Sequence, residues 1–218
     1  MATERFQKLP PERRSSILDA AMAEFGGAGF DKGKLDNVAK AAGVTKGLLY
    51  YYFEDRDDLL ATLFEHVASQ LYPLLGPPPR KPSVEEFWSW LAGVYTRVVE
   101  LVRDRPIMMA FVGRVMSEVA RGAVPPGFAD RKRATEEAVA KTVALGQKCG
   151  AIRTDLPDPL LRGAVMALMG ANDRWILAEL HAGRPVSVAP VLALYRSALS
   201  PAAGRRTRSA GSSPSPRR

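Results

Sequence analysis

Residues 35–56 read LDNVAKAAGVTKGLLYYYFEDR, and this stretch decides the fold of the N-terminal part of the chain. Its first half repeats apolar side chains at the i, i+3, i+4 and i+7 spacing of one helix face, at Leu35, Val38, Ala39 and Ala42. Gly43 then ends the helix, because glycine adopts the left-handed backbone conformation without a steric penalty. Thr45 can cap a second helix by accepting a hydrogen bond from a free backbone N–H. The stretch therefore predicts two short helices joined by a tight turn.

The second of these helices is expected over residues 46–52. Leu49 and Phe53 lie four residues apart and are expected to face inward, which leaves most of the other side chains of this helix for the outer surface. A helix, a glycine turn and a capped helix make up the helix-turn-helix arrangement, whose second helix enters the major groove of DNA. The pattern therefore indicates DNA binding.

The run AKAAGVTKGLLYYYFEDRDDLL at residues 39–60 resembles the signature of TetR-family transcriptional regulators. An upstream helix ending at Phe25 and the pair Gly29-Phe30 extend the resemblance to about residues 12–63. The resemblance implies an all-α fold, with an N-terminal three-helix helix-turn-helix DNA-binding domain followed by a helical domain for effector binding and dimerisation. We expect these domains at residues 1–56 and 57–200, and a disordered basic tail at residues 201–218.

The resemblance also implies a set of DNA contacts. The Lys46-Gly47 pair should lie closest to the base edges, where lysine can donate to guanine. Hydroxyl groups on both sides of this pair can donate to phosphate oxygens. An alternative is that one or two of the tyrosines belong to the core, Tyr52 first, because so short a helix cannot expose all three. The full predicted set is Lys34, Thr45, Lys46, Gly47, Leu48, Tyr50, Tyr51, Tyr52 and Arg56.

Three of these positions carry qualifications. Gly33 and Lys34 stand where the family usually has a threonine or serine, so Lys34 would reach a phosphate by charge rather than through a hydroxyl. Leu48 replaces a small polar residue and could pack only on a thymine methyl group. Arg56 would clamp a phosphate or, alternatively, pair with Asp55 or Asp57. These departures bear on which operator sequence is bound.

The composition is that of an ordinary protein of 218 residues with a formal charge of +8. The first 60 residues hold nine basic and ten acidic side chains, so DNA binding would depend on the placement of a few groups. Cys149 is the single cysteine, which excludes an intrachain disulfide and favours a reducing cytoplasm; it is either an inert thiol or a redox sensor. We find no signal segment, membrane span, metal-ligand spacing or catalytic motif, and expect no cofactor.

The remaining sequence predicts helices throughout. Residues 1–9 are expected to fray, and a loop at residues 76–83 ends the helix that follows the DNA-binding domain. Ser83 and Glu86 form a capping-box pattern. Helices are expected over about residues 12–25, 56–75, 83–103, from 106 onward, 128–148, 159–181 and 187–199. In the helix beginning at Pro106, the side chains expected to face inward are Met109, Val112, Met116 and Val119.

The last two helices, at about residues 159–182 and 187–199, are the expected homodimer interface. Small alanine side chains recur on one face of the first of them and allow another helix to approach closely. In similar proteins the two final helices pair with their copies, and such a dimer would present two heads to a palindromic operator. The alternative is that these faces pack only within one chain.

By the same resemblance, the body should hold a pocket for a small effector of apolar or amphipathic character. The residues expected to line it are Trp88, Tyr95, Met109, Met116, Met169, Asn172 and Trp175. For each of them, ordinary core packing is the alternative. The predicted function is a repressor that the effector releases from double-stranded operator DNA. The alternatives are a helical interaction module that does not bind specific DNA and, with little support, an enzyme.

Overall fold

A computed structural model describes residues 3–123 and 127–201, and these residues form ten α-helices with no strand among them. The all-α prediction is therefore confirmed. The basic tail predicted at residues 201–218 lies outside the described residues from residue 202 onward. The helices are α1 Glu4–Gln7, α2 Pro11–Ala28, α3 Leu35–Ala42, α4 Lys46–Tyr52, α5 Arg56–Leu75, α6 Val84–Arg103, α7 Pro106–Ala120, α8 Phe128–Lys148, α9 Asp158–His181 and α10 Ala189–Leu199.

Local capping residues set several helix starts. The Thr45 hydroxyl accepts a hydrogen bond from the backbone N–H of Leu48 at the start of α4. At the start of α6, the Ser83 hydroxyl accepts from the Glu86 N–H and the Glu86 carboxylate accepts from the Ser83 N–H, so the predicted capping box is confirmed. Each bond satisfies a donor that the first turn of a helix would otherwise leave unpaired.

The N-terminal helices enclose a hydrophobic core that continues into the body. Helices α2–α5 contribute fully buried side chains that include Phe25, Val38, Leu49 and Leu63. The same cluster contains side chains from α6 and α7, namely Val102, Met108, Phe111 and Val115. The core thus crosses residue 56, where the sequence placed a domain boundary.

The expectation that residues 1–9 fray is wrong for residues 3–9, and residues 1–2 lie outside the described part of the chain. Residues 4–7 form α1, and Phe6 is buried between Tyr52 and Phe53, with ring centroids 5.9 and 4.8 Å away. The backbone N–H of Thr3 donates to the Tyr52 carbonyl at 3.0 Å. A helix of one turn is unstable alone. Its tertiary contacts with the end of α4 therefore stabilise it.

Helix α2 packs on α7 with almost no space between the two backbones. A side-chain carbon at Gly26 would lie 3.0 Å from the Phe111 backbone nitrogen, so any larger residue would push the α7 backbone away by a few tenths of an ångström. Beside it, the Arg114 guanidinium donates to the carbonyls of Gly26 and Gly27, at 3.4 and 3.0 Å. These carbonyls lie in the last turn of α2, where the helix dipole favours a cation. The seam therefore joins the DNA-binding domain to the body.

The buried face of α7 differs from the prediction. The fully buried side chains are Met108, Phe111 and Val115, which face α2 and α5. The predicted series Met109, Val112 and Met116 is only half-buried, and Val119 is exposed. Helix α7 is apolar on nearly every side, so periodicity alone could not select the face that packs.

A second hydrophobic cluster joins α6, α8, α9 and α10 through side chains such as Phe87, Trp88, Val143, Leu161 and Tyr195. The opposite side of α9 leaves Gly163, Ala167, Ala171 and Ala178 exposed at four- and seven-residue spacing. Larger apolar side chains are exposed as well: Leu160 by 59% and, on α10, Leu194 by 44%. Every helix in the described part of the chain is too short or too polar to cross a lipid bilayer.

Candidate nucleic-acid interface

The outer side of α4 carries most of the predicted DNA contacts. Tyr50 and Tyr51 are 51% and 49% exposed, and Thr45, Lys46 and Gly47 are exposed at the start of the helix. On the opposite side Leu49 is buried, as the spacing predicted. Two aromatic rings exposed on one side of a helix are available to contact another surface, so this side of α4 fits a role in contact with DNA.

The turn before α4 is held by backbone bonds. Gly43 has φ +62°, the left-handed conformation that the sequence predicted for it. The Val44 N–H donates to the Ala39 carbonyl at 2.9 Å, and the Arg13 guanidinium donates to the Gly43 carbonyl at 3.3 Å. The turn thus fixes α4 against α2 and α3 before any DNA is bound.

Lys46 is engaged by a neighbour on α3. Its ammonium nitrogen lies 2.9 Å from a carboxylate oxygen of Asp36, and both side chains are more than half exposed. The hydrogen bond to Asp36 raises the pKa of Lys46, which keeps the group charged. Sequence reasoning named Lys46 as a base contact but missed this carboxylate. Asp36 and Lys46 are ten residues apart and lie on different helices, so no helical spacing predicts that they pair.

The unusual residues at the start of α3 have a structural explanation. A side-chain carbon at Gly33 would lie 2.4 Å from the Phe25 ring, so the ring requires glycine there. In place of a hydroxyl cap, the Glu24 carboxylate accepts from the Lys34 backbone N–H and from the Asn37 amide, each at 2.9 Å. The Lys34 side chain remains exposed. The missing serine or threonine therefore leaves the helix start intact.

Three other predicted contacts lie at the edge of the surface. Tyr52 is only 8% exposed and packs on Phe6, so its ring belongs to the core and we exclude it from the contact set. Leu48 is half-buried against the N-terminal core. The Arg56 guanidinium donates to the Asp31 carbonyl at 3.2 Å and lies 3.8 Å from the Asp57 carboxylate. In the absence of DNA, Arg56 therefore pairs with Asp57, as the alternative prediction stated.

The sequence analysis also missed Arg5. Its guanidinium lies 4.4 Å from the centroid of the Tyr51 ring, within the range of a cation–π contact. Because Tyr51 is exposed beside it, α1 adds a positive charge to the outer side of α4. No pattern in residues 1–9 predicts this contact, since it depends on the docking of Phe6.

The comparisons with known proteins agree with this geometry. A sequence model described as "Bacterial regulatory proteins, tetR family" matches residues 17–63, which run from α2 into the first half of α5. The chain carries the DNA-binding domain of the TetR family.

Curated relatives match over the same region. A 54-residue stretch is 43% identical to the HTH-type transcriptional regulator AcrR of Shigella flexneri, covering 25% of each chain. A 64-residue stretch is 34% identical to the fatty acid metabolism regulator protein of Bacillus subtilis, covering 29% of this chain and 32% of that protein. The matched stretches thus span between a quarter and a third of these relatives.

Solved structures match over most of the chain. FadR of Bacillus halodurans, a fatty acid degradation regulator, superposes with a TM-score of 0.63 at 17% identity, covering 87% of this chain and 95% of that one. A TetR family transcription regulator of Marinobacter aquaeolei gives 0.64 at 20% identity, covering 86% and 95%. FadR of Bacillus subtilis in complex with stearoyl-CoA gives 0.60 at 17%, covering 84% and 97%. The helical body therefore shares the fold of TetR-family structures as well.

The predicted effector residues do not gather around one cavity. Met109 and Met116 pack on the N-terminal core, whereas Trp88, Tyr95 and Met169 belong to the second cluster. Trp175 is exposed on α9. Of the seven predicted residues, Met116 lines a groove between α7 and α9. The apolar character of these residues favoured a shared pocket, but the structure places them on helix faces that point into two different hydrophobic clusters.

Asn172 and Tyr95 do meet in a buried polar cluster between α6, α9 and α10. The hydroxyl oxygens of Tyr95 and Tyr195 lie 2.7 Å apart, and Asn172 is buried beside them. Burial raises the pKa of both tyrosine hydroxyls, so both stay neutral. Burial also raises the pKa of the neighbouring Asp173 to about 6, although Arg174 opposes the shift. The cluster offers neutral hydrogen-bonding groups inside an apolar body.

Proposed function

We propose that this protein is a ligand-responsive transcriptional regulator that binds double-stranded operator DNA as a homodimer and is released by a small apolar or amphipathic effector. The observation that carries the proposal is the capped helix α4, which presents Lys46, Gly47, Tyr50 and Tyr51 on the outside of a TetR-family domain. Lysine and the glycine backbone approach the base edges, and the tyrosine hydroxyls donate to phosphates. Lys34, Thr45 and Arg56 add contacts at the margins.

The proposed dimer pairs α9 and α10 with their copies. In its support, α9 exposes a stripe of small residues and Leu160, and α10 exposes Leu194, although both helices bury their other sides. An exposed apolar face of this kind is typical of a protein–protein interface. Two copies would present two α4 helices to half-sites about 34 Å apart, one turn of DNA.

The proposed effector acts by a population shift. A ligand that binds one arrangement of the body more tightly shifts the chain toward it and, by linkage, weakens DNA binding. Helix α5 and the seam between α2 and α7 are the routes from the body to α4. A similarly folded FadR is described in complex with stearoyl-CoA, which supports an apolar or amphipathic effector here.

The test begins with fragments of genomic DNA that the purified protein retains, followed by titration of a fluorescent duplex made from one of them. Lys46→Ala and Tyr50→Phe should each weaken binding by about tenfold, because each removes a DNA contact. Lys141→Ala and Tyr72→Phe are matched controls, since both are exposed side chains away from α4. Equal affinity for all four variants would refute the proposal.

The alternative is a helical interaction module without specific DNA binding, and its best support was the pair of departures at Gly33 and Leu48. Both have structural causes, because Phe25 requires the glycine and Leu48 packs on the core. The matched relatives are named as regulators, which also disfavours an enzyme. If the protein retains no DNA fragment at low salt, the interaction module becomes the better reading.

A further inference from the structure

Helix α1 lies outside the segment that matches the TetR-family model, which begins at residue 17. The Phe6 ring is 2% exposed and anchors α1 on the end of α4. At the other end of α1, the Arg14 guanidinium of α2 donates to the Gln7 carbonyl at 2.8 Å. Contacts with two different helices thus hold α1 in place, and they set the direction in which its exposed side chains point.

The ring of Tyr51 lies on the outermost row of α4. Successive residues of a helix turn by about 100°, so Gly47 and Tyr51 stand one turn apart on the side opposite the buried Leu49. Gly47 belongs to the pair proposed to approach the base edges. A group that rests on the Tyr51 ring therefore stands at the end of the row that α4 would turn toward the major groove, close to the phosphates that border it.

Arg5 places such a group on the ring. Its guanidinium carbon lies 4.4 Å from the ring centroid of Tyr51. Among the described residues Arg5 forms no ion pair and donates no hydrogen bond, whereas Lys8 beside it lies 3.6 Å from the Glu4 carboxylate. The N–H donors of the guanidinium thus have no acceptor in this part of the protein. An oriented cation without a partner is suited to an anion that another molecule supplies.

We infer that Arg5 contacts a DNA phosphate at the edge of the major groove, and that the Tyr51 ring is the positioning residue that holds the guanidinium there. A guanidinium presents parallel N–H donors that match two phosphate oxygens, and such charge-assisted bonds are stronger than neutral ones. Holding the side chain on a ring before DNA arrives reduces the entropy lost on binding. Helix α1 thereby extends the DNA interface beyond the family domain.

The inference rests on the proposed function, because it requires DNA on the outer side of α4. Its test is titration of the full chain with two fluorescent duplexes, one retained from genomic DNA and one of random sequence, at several salt concentrations. Arg5→Gln should weaken binding to both duplexes by about five- to tenfold and reduce the salt slope by about one unit, because a phosphate contact carries no sequence information. Arg5→Lys should retain most of the affinity, because it keeps the charge.

The positioning role of the ring is tested by repeating Arg5→Gln in two further backgrounds. Tyr51→Phe removes the hydroxyl and keeps the ring, whereas Tyr51→Leu removes both. Arg5→Gln should weaken binding by the same factor in the Tyr51→Phe background as in the original protein, and by at most about twofold in the Tyr51→Leu background. Arg133→Gln is the matched control, because Arg133 pairs with Asp130 on α8 and should leave binding and salt slope unchanged.

Three results would overturn the inference. Unchanged affinity of Arg5→Gln excludes the contact, and a loss confined to the genomic duplex shows a base contact instead of a phosphate contact. An equal loss in the Tyr51→Phe and Tyr51→Leu backgrounds shows that the ring does not position Arg5. If the original protein binds DNA and Arg5→Gln binds equally well, only this inference fails. If the original protein binds neither duplex, the proposed function itself fails.

Discussion

Lys46, a proposed DNA contact, is half of an ion pair in the protein, and the pair lowers the positive charge that α4 would present to DNA. Asp36 lies 2.9 Å from its ammonium group and would stand close to the phosphates of a bound duplex. We predict that Asp36→Asn strengthens DNA binding several-fold, because it frees Lys46 and removes a negative charge. The slope of log affinity against log salt should steepen by about one unit, because the protein surface that faces DNA gains one net positive charge.

The measurement is a titration of fluorescent duplex at several salt concentrations. Unfolding in urea should change by less than about 1 kcal/mol, since exposed ion pairs contribute little to stability. Asp130→Asn, which breaks an exposed pair on α8, should leave DNA binding unchanged. Weaker binding by Asp36→Asn would show instead that the carboxylate positions Lys46 for its contact.

The raised pKa of Asp173 predicts that the free energy of unfolding depends on pH. Burial raises its pKa from 3.8 in the unfolded chain to about 6 in the folded one. The folded state therefore binds the proton more tightly than the unfolded chain does. The resulting contribution to the free energy of unfolding is complete below pH 4 and is lost as pH rises through 6. Asp173→Asn should match the original protein near pH 4 and be more stable by on the order of 2 to 3 kcal/mol at pH 7.

The measurement is the free energy of unfolding in urea across this pH range. Asp104→Asn is the control with opposite sign. A hydrogen bond from Arg103 lowers the pKa of Asp104, so the original residue contributes stability that is lost as pH falls. Because Asp104 is exposed, its effect should be small. An Asp173→Asn variant that tracks the original protein at every pH would mean that the carboxyl group is solvated.

At the scale of the helices, the sequence predicted those features that depend on residues close together in the chain. The capping box at Ser83 and the cap at Thr45 fix helix starts, because the N–H groups that they satisfy lie within one turn. Pro106 fixes another start, because it lacks the N–H that the first turn would leave unpaired. Helix α1 could not be predicted, since four residues become helical only when Phe6 is buried against α4. The packed face of α7 was missed because apolar side chains surround the helix.

The seam between α2 and α7 gives a prediction with adjacent residues as test and control. Gly27→Ala should stabilise the protein by up to about 1 kcal/mol, because its added carbon meets nothing within 4 Å and alanine favours a helix. Gly26→Ala adds the same carbon 3.0 Å from the Phe111 nitrogen. Since α7 backbone atoms cannot move independently, this variant should be less stable than Gly27→Ala by roughly 1 to 3 kcal/mol.

Urea unfolding of both variants measures the difference. Equal stabilities would mean that α2 and α7 do not approach as closely as described. If Gly26→Ala folds but responds differently to an effector in the DNA titration, the seam also transmits the signal from body to head.

The candidate site shows the same division between local and distant effects. The exposed side of α4 was predictable from Leu49 and Phe53, because a helix that buries these side chains must expose Gly47 and Tyr51. The partners Asp36 and Arg5 come from other helices, so no spacing within α4 indicates them.

For the whole molecule, the proposed function depends on a dimer that presents two DNA-binding domains. A single charged substitution in the proposed interface tests whether that dimer forms. Leu194 on α10 is 44% exposed and Val119 on α7 is 39% exposed, so both tolerate a polar side chain within one copy. Leu194→Glu should give monomers in light scattering, because it places a carboxylate in an apolar interface, and should weaken DNA binding by at least about tenfold through loss of the second half-site. Val119→Glu should remain dimeric with unchanged affinity. If Leu194→Glu stays dimeric, the copies associate through another face, and the spacing of the two α4 helices must be derived from that face instead.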